Sequence, residues 1–152
     1  MPRLTVRHVT AYNWLDALAL DVYAEQRTFT ASVERSLARA YIQPHNYIHE
    51  PMAIYVATSI VGFYCLVYRA GDASHCFLTS FFIDKTHQGR GYGRTFLQYF
   101  LASLRRQDPR YQEVRLTVHP ENRVALHLYT SFGFTETGQM MDGEAEMQLR
   151  LS

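Results

Sequence analysis

The chain has 152 residues, 15 Lys+Arg against 14 Asp+Glu for a formal net charge of +1, and 47% apolar and 14% aromatic residues. That length and composition suit one compact folded domain and argue against intrinsic disorder. The near-neutral charge gives no electrostatic reason for a nucleic acid or an anionic membrane as partner. Met1–Val9 has no apolar segment of the kind a secretory signal needs, and no apolar run is long enough to span a bilayer. Cys65 and Cys76 form no CxxC pair and cannot staple a framework. They read as reduced thiols packed in strands of a cytoplasmic protein, a disulfide between neighbouring strands being the alternative.

Leu4–Val9 alternates like a first strand. From Tyr12 to about Thr28 the pattern turns helical, with Leu15, Leu18 and Val22 on one side and Asp21 and Glu25 on the wetter one. A second helix is expected over Val33–Tyr41, and Pro44 and Pro51 bracket a loop rich in His and Tyr. Ala53–Thr58 and Val61–Tyr68 read as strands about a tight Ser59–Ile60 connection, Gly71-Asp72 as the next turn, and Cys76–Ile83 as a buried strand. Leu97, Phe100, Leu101 and Leu104 predict a helix from about Gly93 to Gln107, ended by Asp108-Pro109. Glu113–Val118 alternates as a strand, and Asn122 is a good N-cap for a helix from Arg123 to Phe132 with Gly133 as its C′ residue. Phe134–Met141 and Ala145–Leu151 turn at Asp142-Gly143, a hairpin signal. The order β-α-α-β-β-β-α-β-α-β-β predicts an α/β fold in a single domain, 1–152. About seven strands would form a mixed sheet with about four helices covering both faces. The unit from Cys76 to Val118 should be a parallel crossover.

The stretch FFIDKTHQGRGYGR, Phe81 to Arg94, is the most informative. A strand ends near Asp84, Gly89, Gly91 and Gly93 alternate, and a helix begins at once. Amides at a helix N-terminus point outward unpaired and favour an anion. Glycine lets the backbone approach a phosphate, and Arg90 and Arg94 add cationic donors. The Walker and dinucleotide-binding glycine spacings are both poor matches, and glycines alone would also suit an ordinary strand-to-helix turn. His45 and His49 are four apart but lie between prolines, and no zinc spacing is present.

Gln88-Gly89-Arg90-Gly91-Tyr92-Gly93 matches the Q/R-x-x-G-x-G/A signature of the GNAT N-acetyltransferases, and the chain resembles that family. A second block agrees: Asn122, Ala125, Tyr129, Gly133 and Phe134 fit N-x-x-A-x-x-x-Y-x-x-x-G-F. The resemblance implies a GNAT-like fold and acetyl-CoA as acetyl donor, with no metal. It implies that the amides of Gln88, Gly89, Arg90, Gly91, Tyr92, Gly93 and Arg94 grip the coenzyme pyrophosphate. Main-chain groups of Phe81, Phe82 and Ile83 would pair with the pantetheine arm, Asn122 would help hold it, and Tyr129 would sit by the thioester sulfur.

Acetyl transfer to an amine needs a neutral amine, donors for the oxyanion and a proton for the leaving thiolate. A backbone N–H near Phe82 would serve the oxyanion, and Tyr129 the thiolate. Tyr129 also shares an apolar helical stripe with Ala125, Leu128 and Phe132, the reading in which it is simply core. An alkylammonium has a pKa near ~10.4, so a base is wanted. Many family members carry an acidic residue where this chain reads Leu78-Thr79-Ser80-Phe81. Ser80 or Thr79 would position a water there. His119 is the best titratable candidate, with a plain loop histidine as the other reading, and Glu121 a weaker one. Asp84 reads as a strand-end residue that sets up the loop.

Within the family, FFIDKTHQGRGYG, HPENRVALHLYTSFGF and Gly143-Glu144 look most like bacterial diamine and spermine/spermidine acetyltransferases, as does the segment from Gln26 to Ala40. That resemblance implies a polyamine, a small-molecule amine, as acceptor, and a homodimer. A polyamine needs carboxylates or tyrosine faces for its distal ammonium groups, which Glu25, Glu34 and Glu50 with Tyr41, Tyr47 and Tyr55 would supply, the other reading being that each is an ordinary surface or core residue. The competing readings are an antibiotic amine, an amino acid or a peptide N-terminus as acceptor, or a non-catalytic acyl-CoA sensor.

Overall fold

The computed structural model describes residues 3–151. Its strands are β1 (Leu4–His8), β2 (Ile48–Val56), β3 (Ser59–Tyr68), β4 (His75–Ile83), β5 (Glu113–Val118), β6 (Thr135–Met141) and β7 (Glu144–Arg150). Its helices are α1 (Trp14–Leu18), α2 (Val33–Ile42), α3 (Tyr92–Arg106) and α4 (Arg123–Ser131). The seven strands form one mixed sheet in the order β1-β2-β3-β4-β5-β7-β6. β4 and β5 are parallel and joined through α3, and the other neighbours are antiparallel. The expected α/β fold, element order and crossover are those observed.

Alternation sorts each strand between two layers. Ile54, Tyr64, Leu78, Val114, Leu116 and Met147 face α3 and α4 and meet Phe96, Leu97, Phe100, Leu101, Leu104 and Tyr129 in the larger core. Phe63 and Phe82 face the other way, onto Ala17, Val22 and Val33. α1 and α2 lie over β2 and β3. On the side of those two helices, β5 and β7 present polar residues, with Arg115 opposite Gln148 and Thr117 opposite Glu146.

The N-terminal helix expected from Tyr12 to Thr28 is two short pieces instead, α1 and a single 3-10 turn at Ala24–Gln26. Asp21 causes the break. Its amide donates to the Asp84 carboxylate at 3.0 Å, its carbonyl accepts from the Lys85 amide at 2.8 Å, and its carboxylate accepts from the Val22 amide. Backbone groups spent on the end of β4 cannot propagate a helix.

The loop expected between Pro44 and Pro51 is largely strand, since β2 begins at Ile48. Pro51 is tolerated because its carbonyl, and so its missing N–H, faces the β1 side just beyond the ladder's last pair, His8 with Met52. That carbonyl accepts from Val9. The β2–β3 connection falls at Ala57–Thr58, before the expected Ser59–Ile60. The Asp142-Gly143 turn has positive φ at both residues, 51° and 80°, as a two-residue hairpin requires.

β4 contains a feature the alternation did not suggest. Phe63 and Cys65 of β3 sit opposite Phe82 and Thr79, so β4 spends one extra residue there. Ser80, at φ 55°, is that residue. The bulge reverses the parity of the strand. Cys76 and Leu78 face α3 before it, and Phe81 and Ile83 do so after it, while Phe82 turns to Phe63. Gly62 of β3 makes the close approach possible, because a Cβ there would stand 2.7 Å from the Phe82 carbonyl oxygen.

Candidate active site

β4 and β5 pair only at His75–Glu113, Cys76–Val114 and Phe77–Arg115. Beyond that both strands run on, to Ile83 and Val118, without pairing to each other. The backbone groups that β4 turns toward β5 after Phe77 therefore lack a ladder partner, which is the geometry for an extended ligand to add as a strand. A cavity of about 990 Å³ opens at this fork. Its walls come from the segment before α2, the bulge of β4, the glycine loop, the first turns of α4 and the β6–β7 turn.

The glycine loop closes one end. Gly91 caps α3 at φ 82° and Gly89 stands at φ 79°. A Cβ on either would meet nothing within 4 Å, so these glycines serve the left-handed backbone and an open approach to the amides. Gln88 braces the loop from behind. Its amide donates to the Ile83 carbonyl at 2.9 Å and to Gln26 Oε1 at 3.0 Å, and Gln26 donates back at 3.1 Å. Asp84, 8% exposed, fixes the turn into the loop by accepting from the Asp21 and Thr86 amides and the Thr86 hydroxyl, with His87 Nδ1 at 3.3 Å. Burial pushes its carboxyl up, but the Thr86 hydroxyl, the Asp21 amide and His87 outweigh that and hold it below the usual carboxylate range.

Phe81, Phe82, Ile83, Gln88, Gly89, Gly91, Tyr92, Gly93, Asn122, Ser80 and Tyr129 all line the cavity. Asn122 caps α4, its Oδ1 accepting from the Ala125 amide at 3.2 Å. Tyr129 is 7% exposed, packs edge-on against Phe134, and its hydroxyl has no hydrogen-bond partner among the described residues. Burial, and to a lesser degree the charge of Glu144, raises its pKa, so it stays a protonated donor. Ser80 accepts at 2.9 Å from Ser36, a buried α2 residue, which ties the bulge to that helix.

Other expected residues stand elsewhere. Arg90 is exposed and off the cavity lining. Arg94 is drawn to α4, donating to Ser131 Oγ at 3.1 Å and lying over the Phe132 ring. His119 is also off the lining: its ring rests against Phe29 at 5.1 Å, and its Nδ1 accepts from the Glu121 amide. The Thr79 hydroxyl donates to the Cys65 carbonyl. Glu25, Glu34, Glu50, Tyr41, Tyr47 and Tyr55 do not reach the cavity. Glu50 is engaged by the Tyr68 hydroxyl, Tyr55 by Asn13 and Arg7, and Tyr47 by Arg69. The carboxylates at the cavity are instead Glu121, Asp142 and Glu144. Arg35 and Arg39 of α2 line the same cavity. The sequence signal for Glu144 was its place just after the Asp142-Gly143 turn, but only β7 pairing beside β5 brings it to the site.

Residues 14–134 match the model of the acetyltransferase (GNAT) family. A protein of Bacillus subtilis subsp. natto named probable spermine N(1)-acetyltransferase is 29% identical over 150 residues, 95% of this chain and 96% of its own. Spermine/spermidine N(1)-acetyltransferase of Bacillus subtilis is 28% identical over the same shares. Among solved structures, spermidine N-acetyltransferase of Vibrio cholerae in complex with CoA and spermine superposes with a TM-score of 0.74 at 20% identity, covering 97% of this chain and 95% of that one. Ribosomal-protein-S18-alanine N-acetyltransferase of Escherichia coli gives 0.71 at 19%, covering 99% and 95%. These two share the fold and differ in acceptor, so the fold by itself does not choose one. With the forked strands, the glycine loop and the family match in one place, the chain belongs to the GNAT acetyltransferases and is an acetyl-CoA-dependent N-acetyltransferase.

Proposed function

We propose that the chain acetylates a primary amine of a polyamine by direct attack in a ternary complex. The observation that carries this reading is that the cavity lining brings three carboxylates, Glu121, Asp142 and Glu144, together with the exposed apolar side chains of Val124 and Met141. A polyamine joins ammonium groups by methylene chains, and such a lining offers both carboxylates and apolar surface. The curated relatives named for spermine and spermidine support the same acceptor.

In this reading the amides from Gln88 to Arg94 hold the pyrophosphate, the edge of β4 at Phe81, Phe82 and Ile83, which has no β5 partner, holds the pantetheine arm, and Asn122 adds its Nδ2. Bound acetyl-CoA supplies the activated acetyl group. The bulge at Ser80 turns backbone amides toward the developing oxyanion, and Tyr129 gives its proton to the departing sulfur. Neither cysteine competes as a nucleophile, since both are buried and burial pushes each thiol up to about 12. Residues 1–152 act as one catalytic domain in the cytoplasm, for which the two free thiols speak. Self-association belongs to this reading too, since a similar structure from Vibrio cholerae, at TM-score 0.69, is dodecameric.

A second acceptor class has one observation behind it. Arg35 and Arg39, one helical turn apart on α2, line the same cavity and form no ion pair among the described residues. They suit an acceptor with a carboxylate, such as an amino acid or a peptide. Thiol release from acetyl-CoA against spermidine, spermine, putrescine, aminoglycosides, amino acids and short peptides separates the two. Turnover confined to polyamines is the expected result. Turnover confined to amino acids or peptides would move the acceptor to the arginine wall, and acetyl-CoA binding without any turnover would make the protein a sensor.

A further inference from the structure

We propose that Glu144 receives the acceptor's ammonium beside the thioester and takes its proton before attack. This rests on amine acetylation in this cavity and not on the acceptor being a polyamine.

The reaction needs a proton acceptor, and the geometry removes the other candidates. β4 carries no carboxylate from Leu78 to Phe81. His119 lies off the cavity with Nδ1 occupied. The Thr79 hydroxyl is committed to Cys65, and Ser80 Oγ to Ser36. Of the three carboxylates lining the cavity, Glu121 and Asp142 are exposed, and Glu144 is half-buried. Glu144 is also the one anchored: Thr117 on β5, where the fork opens, donates to its Oε1 at 2.8 Å. That bond leaves Oε2 to meet a ligand. Glu144 and Tyr129 line the same cavity, which puts base and acid at one reaction space. The other acidic or basic side chains on the cavity lining are Asp142 in the turn, Glu121 and Arg123 at the start of α4, Arg27, Arg35 and Arg39 in and before α2, and His87.

The step balances. The ammonium N–H proton passes to the Glu144 carboxylate, and the freed lone pair forms a bond to the thioester carbon. Collapse of the tetrahedral adduct breaks the C–S bond. The thiolate takes the Tyr129 proton, the amide nitrogen sheds its second proton back to Tyr129 through water, and Glu144 releases its own to solvent.

The test compares two amines in wild type, Glu144→Gln and Glu144→Asp. One is the alkylamine that the wild type acetylates fastest, spermidine on the reading above. The other is 2,2,2-trifluoroethylamine, which is already neutral at pH 7. Glu144→Gln is expected to lose about 100-fold or more in kcat/KM with the alkylamine and less than about 10-fold with the weak base. Glu144→Asp should recover part of the loss. Acetyl-CoA affinity, measured by calorimetry, should stay within about twofold in both variants, showing an intact fold and donor site. Equal losses with the two amines, no loss with either, or a lost acetyl-CoA site would each overturn the assignment. Spermidine inert in the wild type would sink the polyamine reading alone, and the same comparison then proceeds with the alkylamine that reacts.

Discussion

Tyr129→Phe is expected to lower kcat by about 10²–10⁴-fold while acetyl-CoA affinity stays nearly unchanged. The hydroxyl has no protein partner among the described residues, lines the cavity, and sits on a ring that is 93% buried by its 7% exposure. Its removal therefore takes nothing from the fold, and thermal unfolding of the variant should match or exceed that of the wild type. What is lost is a donor needed only as thiolate forms, an interaction of the transition state and not of the bound donor. Steady-state kinetics with acetyl-CoA titrated at saturating amine, beside calorimetric binding, separates the two. An unchanged kcat would return Tyr129 to the core.

The largest expected effect on stability is at Phe96. Phe96→Ala should cost about 3–5 kcal/mol, read from urea unfolding, because a fully buried phenyl ring is deleted from a close-packed layer. Phe96 is 0% exposed and stands in an aromatic cluster, its centroid 4.6 Å from Phe81, 4.7 Å from Tyr64 and 5.5 Å from Phe100. The Phe81 contact carries the damage to the active site, since Phe81 belongs to the open edge of β4. The KM for acetyl-CoA should rise in the folded variant. Phe96→Leu, which keeps most of the volume, should cost less than half as much. Equal costs for the two would mean the cluster is not tightly packed.

The C-terminal half was legible in the sequence almost residue by residue. α3, β5, α4 and the last hairpin are set by local signals: an apolar stripe, the Asn122 cap, Gly133 and the Asp142-Gly143 turn. The N-terminal half was not, because its shape is decided at a distance. Asp21 gives up helical hydrogen bonds to Asp84, 63 residues on, and Gln26 is tied to Gln88 across a similar span. The bulge at Ser80 was hidden for the same reason, since an extra residue has meaning only against the register of β3. Of the expected site residues in the two motif blocks, all but Arg90 and Arg94 line the cavity. Acceptor-side residues depended on which strands lie side by side. The carboxylates sought before β3 are engaged elsewhere or exposed, and Glu144 comes to the cavity through pairing that no local pattern encodes.

Initial velocities measured while both acetyl-CoA and the amine are varied test the central claim most directly, that donor and acceptor meet in one cavity and react without an acyl-enzyme. Double-reciprocal lines that intersect are the result expected of a ternary complex. Parallel lines would indicate a covalent acetyl-enzyme, formed with release of CoA before the amine binds, and would contradict the account.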